Sequence, residues 1–375
     1  MVIINRFADN FFNTPMSNSK KELFFTHNLL NWDKQQNLRT MPWKGEKDPY
    51  KIWLSEIILQ QTRVEQGWAY YNRFIKKYPT IKKLALAPEK DVFKLWEGLG
   101  YYTRCRNLIA TAKFIANELN GKFPDDYESI LKLKGVGPYT AAAIASFAFN
   151  LPYAVVDGNV MRVLSRFFGI KKTIDDNEGK KFFFSLANKL IEKEVAGLYN
   201  QAIMDFGATI CKPQSPLCPQ CVLKTKCEAY LQDAVNEYPV KSKKLVKKQR
   251  WLYYIVAEYK GKIFVRKRIE KDIWQNLYEF FLIETGKQFS ADEIIASTTF
   301  KEVAGKHSEL INISRVFKQQ LTHQTIHGFF IHTRLKKAPL LDGYQLLEKQ
   351  ALLLQPFPRF ITAYFEESNF FKTKV

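Results

Sequence analysis

Residues 131–166 constrain the fold more than any other stretch of the sequence. They open with a turn containing Gly135 and Gly137, which is followed by Pro138 and an alanine-rich run. Glycines before a proline in the first helical turn indicate a helix start, and a helical pattern at 129–134 runs into the same turn. The sequence therefore predicts two helices joined by a tight glycine hairpin.

This hairpin is suited to holding a phosphate. Glycines leave room for an anion to reach the unpaired amides at a helix N-terminus, so we expect the backbone of Gly135, Val136 and Gly137 to contact it. Lys134 lies inside the turn and is interpreted as a further phosphate contact. An ordinary corner between two helices is the alternative. The flanking helical patterns favour a helix-hairpin-helix, a motif that grips one DNA backbone without reading its sequence.

Two carboxylates are candidates for chemistry. Asp157 follows an apolar run and directly precedes a helical pattern at 160–168, so local amides can hydrogen-bond it. Glu56 lies in the segment IWLSEIILQQTRV, where Trp53, Ile57 and Ile58 form an apolar face around it. Desolvation among such neighbours would raise the pKa of Glu56. The alternative is a surface glutamate on an amphipathic helix.

Four of the five cysteines are clustered in the order C-x6-C-x2-C-x5-C, at Cys211, Cys218, Cys221 and Cys227. In a chain without an export signal, such a set indicates a metal site and not a disulfide framework. Four thiolates can bind tetrahedral zinc or a [4Fe–4S] cluster, and the residues alone leave both open. The fifth cysteine, Cys105, is interpreted as a small helix residue.

Charge and hydropathy limit the class of protein. The formal charge is +20 and aromatic residues make up 15% of the chain, a combination suited to a polyanionic partner, although solvated lysines alone would explain the charge. No apolar run approaches the roughly 20 residues of a membrane span. The N-terminus lacks the features of an export signal, so a cytoplasmic location is expected. Residues 1–19 are predicted to be flexible, with Met16 as an alternative start.

Residue patterns divide the chain into two domains. Helical periodicity predicts an all-α domain at 20–235, and 236–250 form a basic linker. The remaining 125 residues predict an α+β domain. Its expected elements are a strand hairpin at 251–258 and 262–267, helices near 290–296 and 342–350, and strands near 311–318 and 326–334.

These features together resemble the MutY family of adenine DNA glycosylases, within the endonuclease III superfamily. The resemblance rests on WLSEIILQQTRV, GLGYYTR, LKGVGPYT, VVDGNVMRV with the cysteine loop, and the C-terminal region. It implies a helix-hairpin-helix glycosylase domain with a six-helix part at about 43–149. A cluster part would comprise about 20–42 and 150–235, and a Nudix-like lesion-recognition domain would occupy 251–375. Because the Nudix hydrolase box is absent there, that domain would read the lesion and not hydrolyse a nucleotide.

The resemblance also implies an activity. A monomer would hydrolyse the N-glycosidic bond of adenine mispaired with 8-oxoguanine or guanine in double-stranded DNA, with no membrane partner. Uneven 6-2-5 spacing resembles the family's [4Fe–4S] loop, which favours the cluster over zinc as the cofactor. The alternatives are a bifunctional glycosylase and lyase, a non-catalytic iron–sulfur DNA-binding protein, and a Nudix hydrolase. A lyase would carry a lysine where this chain has Tyr139.

Roles for single residues follow from motif position. Glu56 would protonate adenine and Asp157 would stabilise the sugar cation, with Tyr139 and Asn159 positioning the pair. Gln61 and Tyr101 would enter the base stack as adenine is flipped out. Where the family carries Phe-Ser-His, this chain has Leu321, Thr322 and His323, a departure that keeps a hydroxyl for lesion recognition. His323 has two other interpretations, a metal site with His327 and His332 or a strand residue facing a core.

Overall fold

The computed structural model describes residues 18–242, 247–305, 307–339 and 342–371. The predicted flexible N-terminus lies outside these residues except for its last two, which begin the first helix, and part of the predicted linker also lies outside them. The helices are α1 (Asn18–Gln36), α2 (Pro49–Leu59), α3 (Val64–Lys77), α4 (Ile81–Ala85), α5 (Glu89–Trp96), α6 (Tyr102–Glu118), α7 (Tyr127–Leu131), α8 (Pro138–Phe149), α9 (Gly158–Phe168), α10 (Asn177–Leu190), α11 (Ala196–Thr209), α12 (Glu228–Leu231), α13 (Ala291–Ala296), α14 (Thr298–Ala304), α15 (Lys349–Leu352) and α16 (Arg359–Glu367).

The strands all follow the helical part of the chain. They are β1 (Lys248–Tyr259), β2 (Lys262–Lys267), β3 (Tyr278–Glu279), β4 (Phe281–Thr285), β5 (Glu309–Ile313), β6 (Phe317–Gln320), β7 (Gln324–Gly328), β8 (Phe330–Arg334) and β9 (Tyr344–Glu348). Because no described residue before Lys248 lies in a strand, the predicted change from an all-α to an α+β part is confirmed.

The described chain forms two compact units, which we call the helical unit and the mixed unit. The helical unit consists of residues 18–57 and 122–242, and the mixed unit of residues 58–121 and 247–371. This division crosses the predicted domain limits, since the helices of 58–121 group with the C-terminal residues. The predicted limits themselves remain predictions.

The core of the helical unit lies between α1, α9, α10 and α11. Trp32 packs edge-on against Phe206 with ring centroids 4.9 Å apart, and Phe25 packs on Phe167 at 4.9 Å. Local signals set the helix limits. The Asp157 side chain caps the start of α9, and Gly169 ends it in the left-handed conformation at φ 68°.

The mixed unit contains a nine-stranded sheet organised around β1. β1 pairs with β2 and β4 in antiparallel fashion and with β7 and β8 in parallel fashion. β5 joins the sheet through β8, β6 through β7, and both β3 and β9 through β2. Aromatic rings from α16 cover one part of this sheet, with Tyr364 stacked on Phe330 at 4.1 Å.

Two predictions for the C-terminal elements are wrong. The predicted helix at 342–350 is strand β9 followed by the short helix α15, since β9 pairs with β2 along its whole length. Tyr344 and Leu346 thereby face the core with the two-residue period of a strand, and this pairing overrides local helix propensity. The strands predicted at 311–318 and 326–334 are each two strands. The second break follows Gly328, where an added Cβ would lie 1.6 Å from the Leu252 carbonyl oxygen.

None of the helices in the described parts of the chain has the length and apolar character needed to cross a membrane.

Candidate active site

The predicted glycine hairpin is present and joins α7 to α8. Its turn is closed by a hydrogen bond from Val136 N to Leu133 O (3.0 Å), and Gly135 takes φ 81°, a conformation that favours glycine. Gly137 precedes Pro138, the first residue of α8, and nothing lies within 4 Å of the position its Cβ would take. Lys134 is exposed on the same turn. The amides at the start of α8 are therefore accessible to an anion.

The predicted burial of Glu56 is confirmed. Glu56 is 6% exposed on α2, and Trp53, Ile57 and Ile58 around it are buried. The pKa of Glu56 is raised to about 7, mainly by burial and also by the charge of Asp157. A hydrogen bond from the Tyr139 hydroxyl acts in the opposite direction and lowers this pKa. A carboxyl group with this pKa can exchange a proton near neutral pH.

Asp157 has a different environment, although burial raises its pKa as well. Its Oδ1 accepts from Val160 N (2.8 Å) and its Oδ2 from Asn159 Nδ2 (2.8 Å). The start of helix α9 and the charge of Arg162 also favour the ionised carboxylate and oppose the effect of burial. The helical unit thus brings Glu56, Tyr139, Asp157 and Asn159 together, as predicted, and Asp157 accepts hydrogen bonds from both Val160 N and Asn159.

Sequence reasoning did not identify two buried arginines on α9. Arg162 donates from Nη2 to Asn159 Oδ1 (2.8 Å) and to Gly207 O (2.7 Å), and from Nε to Cys211 O (2.8 Å). It therefore joins the Asp157 hydrogen-bond network to the cysteine loop. Gly207 lies so close that an added Cβ would be 2.8 Å from the Asn159 Cβ. The sequence does not show that Arg162 and Gly207 meet, because they lie 45 residues apart in the chain.

The second arginine, Arg166, fixes the cysteine loop. It donates from Nη1 to Lys212 O (2.7 Å) and from Nε to Tyr238 O (3.1 Å), and its Nη1 lies 3.5 Å from Cys211 Sγ. At 3% exposure its charge lies inside the protein beside the thiols. Such a cation favours thiolate over thiol.

Cys211, Cys218, Cys221 and Cys227 line one pocket together with Arg166. Burial, with a smaller contribution from the neighbouring cysteines, raises the pKa of Cys221 to about 12 and that of Cys227 to about 11, although backbone hydrogen bonds oppose the shift. The donor set is therefore four sulfurs around a single cavity. Among the described residues, no three His, Cys, Asp or Glu side chains form a ready group of ligands for one metal ion. Cys105 lies in helix α6, as predicted, and is buried there.

Tyr101 and Gln61 lie in the mixed unit, and both have left-handed backbone conformations, at φ 46° and 58°. Tyr101 is 43% exposed, and its hydroxyl makes a short hydrogen bond with the Thr322 hydroxyl. Thr322 Oγ1 also lies 3.4 Å from Gln61 Oε1. The mixed unit therefore brings together three residues that are far apart in the sequence.

Thr322 and His323 form the tip of the turn between β6 and β7, which is closed by a hydrogen bond from Leu321 N to Gln324 O (2.8 Å). His323 is exposed, so its interpretation as a core residue is wrong. Among the described residues, the metal site suggested for the three histidines is not formed. His327 is hydrogen-bonded to Gln249 (2.9 Å) and His332 to Glu258 (3.1 Å) instead.

The tip of this turn opens onto a cleft of about 680 Å³ within the mixed unit. Tyr101, Leu321 and Trp274 supply apolar surface, while Arg106, Lys247 and Arg359 supply positive charge. Aromatic rings beside cations suit a nucleotide, because bases stack on rings and phosphates pair with cations.

Comparisons with known proteins agree with this geometry. Residues 54–189 match the model of the HhH-GPD superfamily of base excision DNA repair proteins. An adenine DNA glycosylase of Buchnera aphidicola subsp. Baizongia pistaciae is 38% identical over 311 residues, which cover 81% of this chain and 84% of that protein. The adenine DNA glycosylase of Arabidopsis thaliana is 33% identical over 350 residues, covering 82% of this chain and 55% of its own.

Among solved structures, that of a thermostable thymine-DNA glycosylase aligns with a TM-score of 0.53 at 31% identity, covering 57% of this chain and 99% of its own. Fold and site together define a helix-hairpin-helix DNA glycosylase, a hydrolase that acts on an N-glycosyl bond. More narrowly, the chain belongs to the adenine DNA glycosylase family of base excision repair, as its similarity to members of that family shows.

Proposed function

We propose that the protein removes adenine opposite 8-oxoguanine or guanine in double-stranded DNA, as a monofunctional and monomeric glycosylase. The observation that carries this proposal is the pair of carboxyl groups in the helical unit. Glu56 is buried with a pKa of about 7, and Asp157 beside it accepts hydrogen bonds from Val160 N and Asn159. Two carboxyl groups with opposed environments are what hydrolysis of a glycosidic bond requires.

In the proposed reaction, protonated Glu56 donates its proton to N7 of the flipped adenine. The C1′–N9 bond then breaks with its electron pair going to the base, so adenine leaves as a neutral molecule. Ionised Asp157 stabilises the positive charge that develops on the sugar. Water adds at C1′ and releases a proton, which returns to the Glu56 carboxylate for the next turnover, while Asp157 stays ionised.

Tyr139 supports a monofunctional enzyme. Strand cleavage by a lyase runs through a Schiff base, which needs an amine at the sugar. Tyr139 contributes a hydroxyl that hydrogen-bonds Glu56, and the pKa of this hydroxyl is raised by burial and by the neighbouring carboxylates. It therefore stays protonated and acts as a donor to Glu56.

DNA binding and base flipping are assigned to two loops. The hairpin at Lys134, Gly135, Val136 and Gly137 offers backbone amides to a phosphate, a role supported by the open space at Gly137 and the left-handed conformation of Gly135. Tyr101 and Gln61 are exposed in the mixed unit, where a ring and an amide can replace the flipped base in the stack.

Reading of the opposite base is assigned to the Nudix-like part of the mixed unit, at Leu321, Thr322 and His323. Oxidation of guanine turns N7 from an acceptor into a donor, and the hydroxyl oxygen of Thr322 can accept from it. Leu321 lines the same cleft as Tyr101 and can pack beside a base.

A [4Fe–4S] cluster fits the cysteine pocket, because four sulfurs and a buried arginine surround one cavity. Cys211, Cys218, Cys221 and Cys227 would hold it, and bound there it would supply a rigid cross-link for this loop. Protein purified without oxygen should be brown and contain iron and sulfide in equal amounts. Colourless protein with one zinc ion per chain would favour a zinc site.

Adenine release tests the proposed function directly. Duplexes carrying adenine opposite 8-oxoguanine, guanine or thymine are treated with the enzyme, and free adenine is measured by chromatography. We expect release from the first two duplexes only. Release from the thymine duplex at a similar rate, or no release from any duplex, would contradict the proposal.

A further inference from the structure

The Tyr101 loop, residues 97–101, is held by side chains along its whole backbone. Its first four carbonyl groups each accept a hydrogen bond from a different side chain. These bonds are Tyr70 Oη to Glu97 O (2.6 Å), Gln66 Nε2 to Gly98 O (3.5 Å), Arg104 Nη2 to Leu99 O (3.3 Å) and Trp96 Nε1 to Gly100 O (3.0 Å). Four successive carbonyl groups before Tyr101 are therefore held, and the position of Tyr101 depends on the residues that hold this loop.

That first residue, Glu97, is fastened to the C-terminal part of the mixed unit. Its Oε1 accepts from Phe357 N (2.8 Å), and its Oε2 accepts from Lys94 Nζ (2.7 Å). Lys94 Nζ also donates to Gln355 O (3.0 Å). Glu97 and Lys94 thereby bind both ends of the segment 355–357.

The segment 355–357 is in turn part of the rigid core. Phe357 is 1% exposed and packs against Phe280 and Phe365, with ring centroids 6.0 and 5.2 Å apart. Phe280 also contacts Phe330 of β8 (6.4 Å). The same sheet carries the turn at Thr322, through β6 and β7. The same packed core therefore supports both Phe357, which donates to Glu97, and the turn at Thr322 and His323 between β6 and β7.

We infer that Glu97 is a positioning residue for reading the base opposite adenine. Glu97 is the first residue of the Tyr101 loop, and its bond to Phe357 N fixes this loop to the segment 355–357. Glu97 thereby determines the position of Tyr101 relative to Thr322, so that the Tyr101 ring and the Thr322 hydroxyl contact the same base. This inference rests on the proposed function of Tyr101 and Thr322. The C-terminal region would then contribute in two ways to discrimination between 8-oxoguanine and guanine. One is direct contact by the turn at Thr322, and the other is the positioning of Tyr101 by the segment 355–357.

The test compares Glu97→Ala with wild type on duplexes carrying adenine opposite 8-oxoguanine or guanine. We expect the ratio of the two single-turnover rate constants to fall by about three- to tenfold, in the range found for residues that couple two sites. The rate on the guanine duplex should change less, because guanine lacks the altered N7 group that the loop helps to recognise.

Matched variants separate positioning from folding. Glu97→Gln keeps an oxygen that accepts from Phe357 N, so it should retain the wild-type ratio within about twofold, as loss of one surface ion pair is a small effect. Glu89→Ala removes a carboxylate from α5, the helix that ends directly before Glu97; Glu89 forms a surface ion pair with Lys113 (2.7 Å), and its loss should leave the ratio unchanged. Should Glu97→Ala fail to fold, Lys94→Met should lower the ratio in the same direction, since it removes the bond to Gln355 O.

A second readout follows Tyr101 itself. 2-Aminopurine placed next to 8-oxoguanine in the duplex reports insertion of the ring as a change in fluorescence, which Glu97→Ala should reduce and Glu97→Gln should retain. A wild-type ratio and wild-type fluorescence in folded Glu97→Ala would overturn the inference. A wild-type enzyme without preference for 8-oxoguanine would instead overturn the proposed function of the cleft.

Discussion

The Glu56 site and the Tyr101 cleft place their functional groups in opposite surroundings. Glu56 is almost completely buried and its pKa is shifted by burial, whereas Tyr101 and His323 are exposed and Thr322 lies on a turn. The chemistry proposed for the first site needs a carboxyl group that stays protonated near pH 7, and exclusion of water is the largest cause of the raised pKa of Glu56. Recognition at the second needs groups that a base can reach. Because the two sites have opposite surroundings, we expect mutations to impair base release and base recognition separately.

The largest expected effect concerns the chemical site. Glu56→Gln deletes the proton donor and keeps the side-chain shape, so adenine release should fall by about a thousandfold or more, while duplex affinity stays close to wild type. Asp157→Asn should be comparably inactive, because it removes the charge that faces the sugar cation. Single-turnover assays and filter binding measure the two properties. Near-normal adenine release by either variant would contradict the role proposed for that carboxyl group in the chemical step.

An intermediate effect concerns stability. The folded-state pKa of Glu56 is about 7 against 4.5 for the unfolded chain, so the folded protein binds an extra proton between these values and loses stability as pH rises through 7. Glu56→Gln has no such loss. Above pH 8, the free energy of unfolding of Glu56→Gln should therefore exceed that of wild type by about 3 kcal/mol, which is the free-energy equivalent of the pKa shift. Near pH 4 the two proteins should differ little. Denaturant unfolding at both pH values checks this, and a pH-independent difference would contradict it.

A further effect tests the assignment of Tyr139. Treatment of the wild-type enzyme and damaged DNA with borohydride should trap almost no covalent complex, because the site has no amine to form a Schiff base. Tyr139→Lys introduces one and should raise trapping, with loss of the hydrogen bond to Glu56 slowing base release. Efficient trapping by the wild type, seen as a shifted band on a denaturing gel, would show that another lysine reaches the sugar.

The smallest effect belongs to the open cleft. Thr322→Ala combined with His323→Ala should lower the preference for 8-oxoguanine over guanine by about tenfold at most, since one or two hydrogen bonds are lost. Release from the guanine duplex should persist, as it depends on Glu56. Leu310→Ala is the control, because Leu310 lies on β5 and is not among the residues that line the cleft. An unchanged preference in the double variant would show that another loop reads the lesion.

The same contrast explains what the sequence could predict. Glu56 among apolar residues, Asp157 at a helix start and the Gly135 turn carry their signals within a few neighbouring residues, and the structure has all three environments. Arg162, Arg166, Gly207 and Glu97 could not be identified from the sequence because each also contacts residues far along the chain, such as Gly207 for Arg162, Lys212 for Arg166, Asn159 for Gly207 and Phe357 for Glu97. Strand β9 was mistaken for a helix for the same reason, since pairing with β2 determines it.

The pH dependence of adenine release tests the central claim most directly, that a buried Glu56 acts as the acid. Single-turnover rate constants are measured from pH 5 to 9 on the duplex with adenine opposite 8-oxoguanine. The rate should fall tenfold per pH unit above about 7, as Glu56 loses its proton. It should also fall at low pH, where Asp157, whose pKa is raised by burial, becomes protonated. A rate that stays constant up to pH 9 would contradict the account.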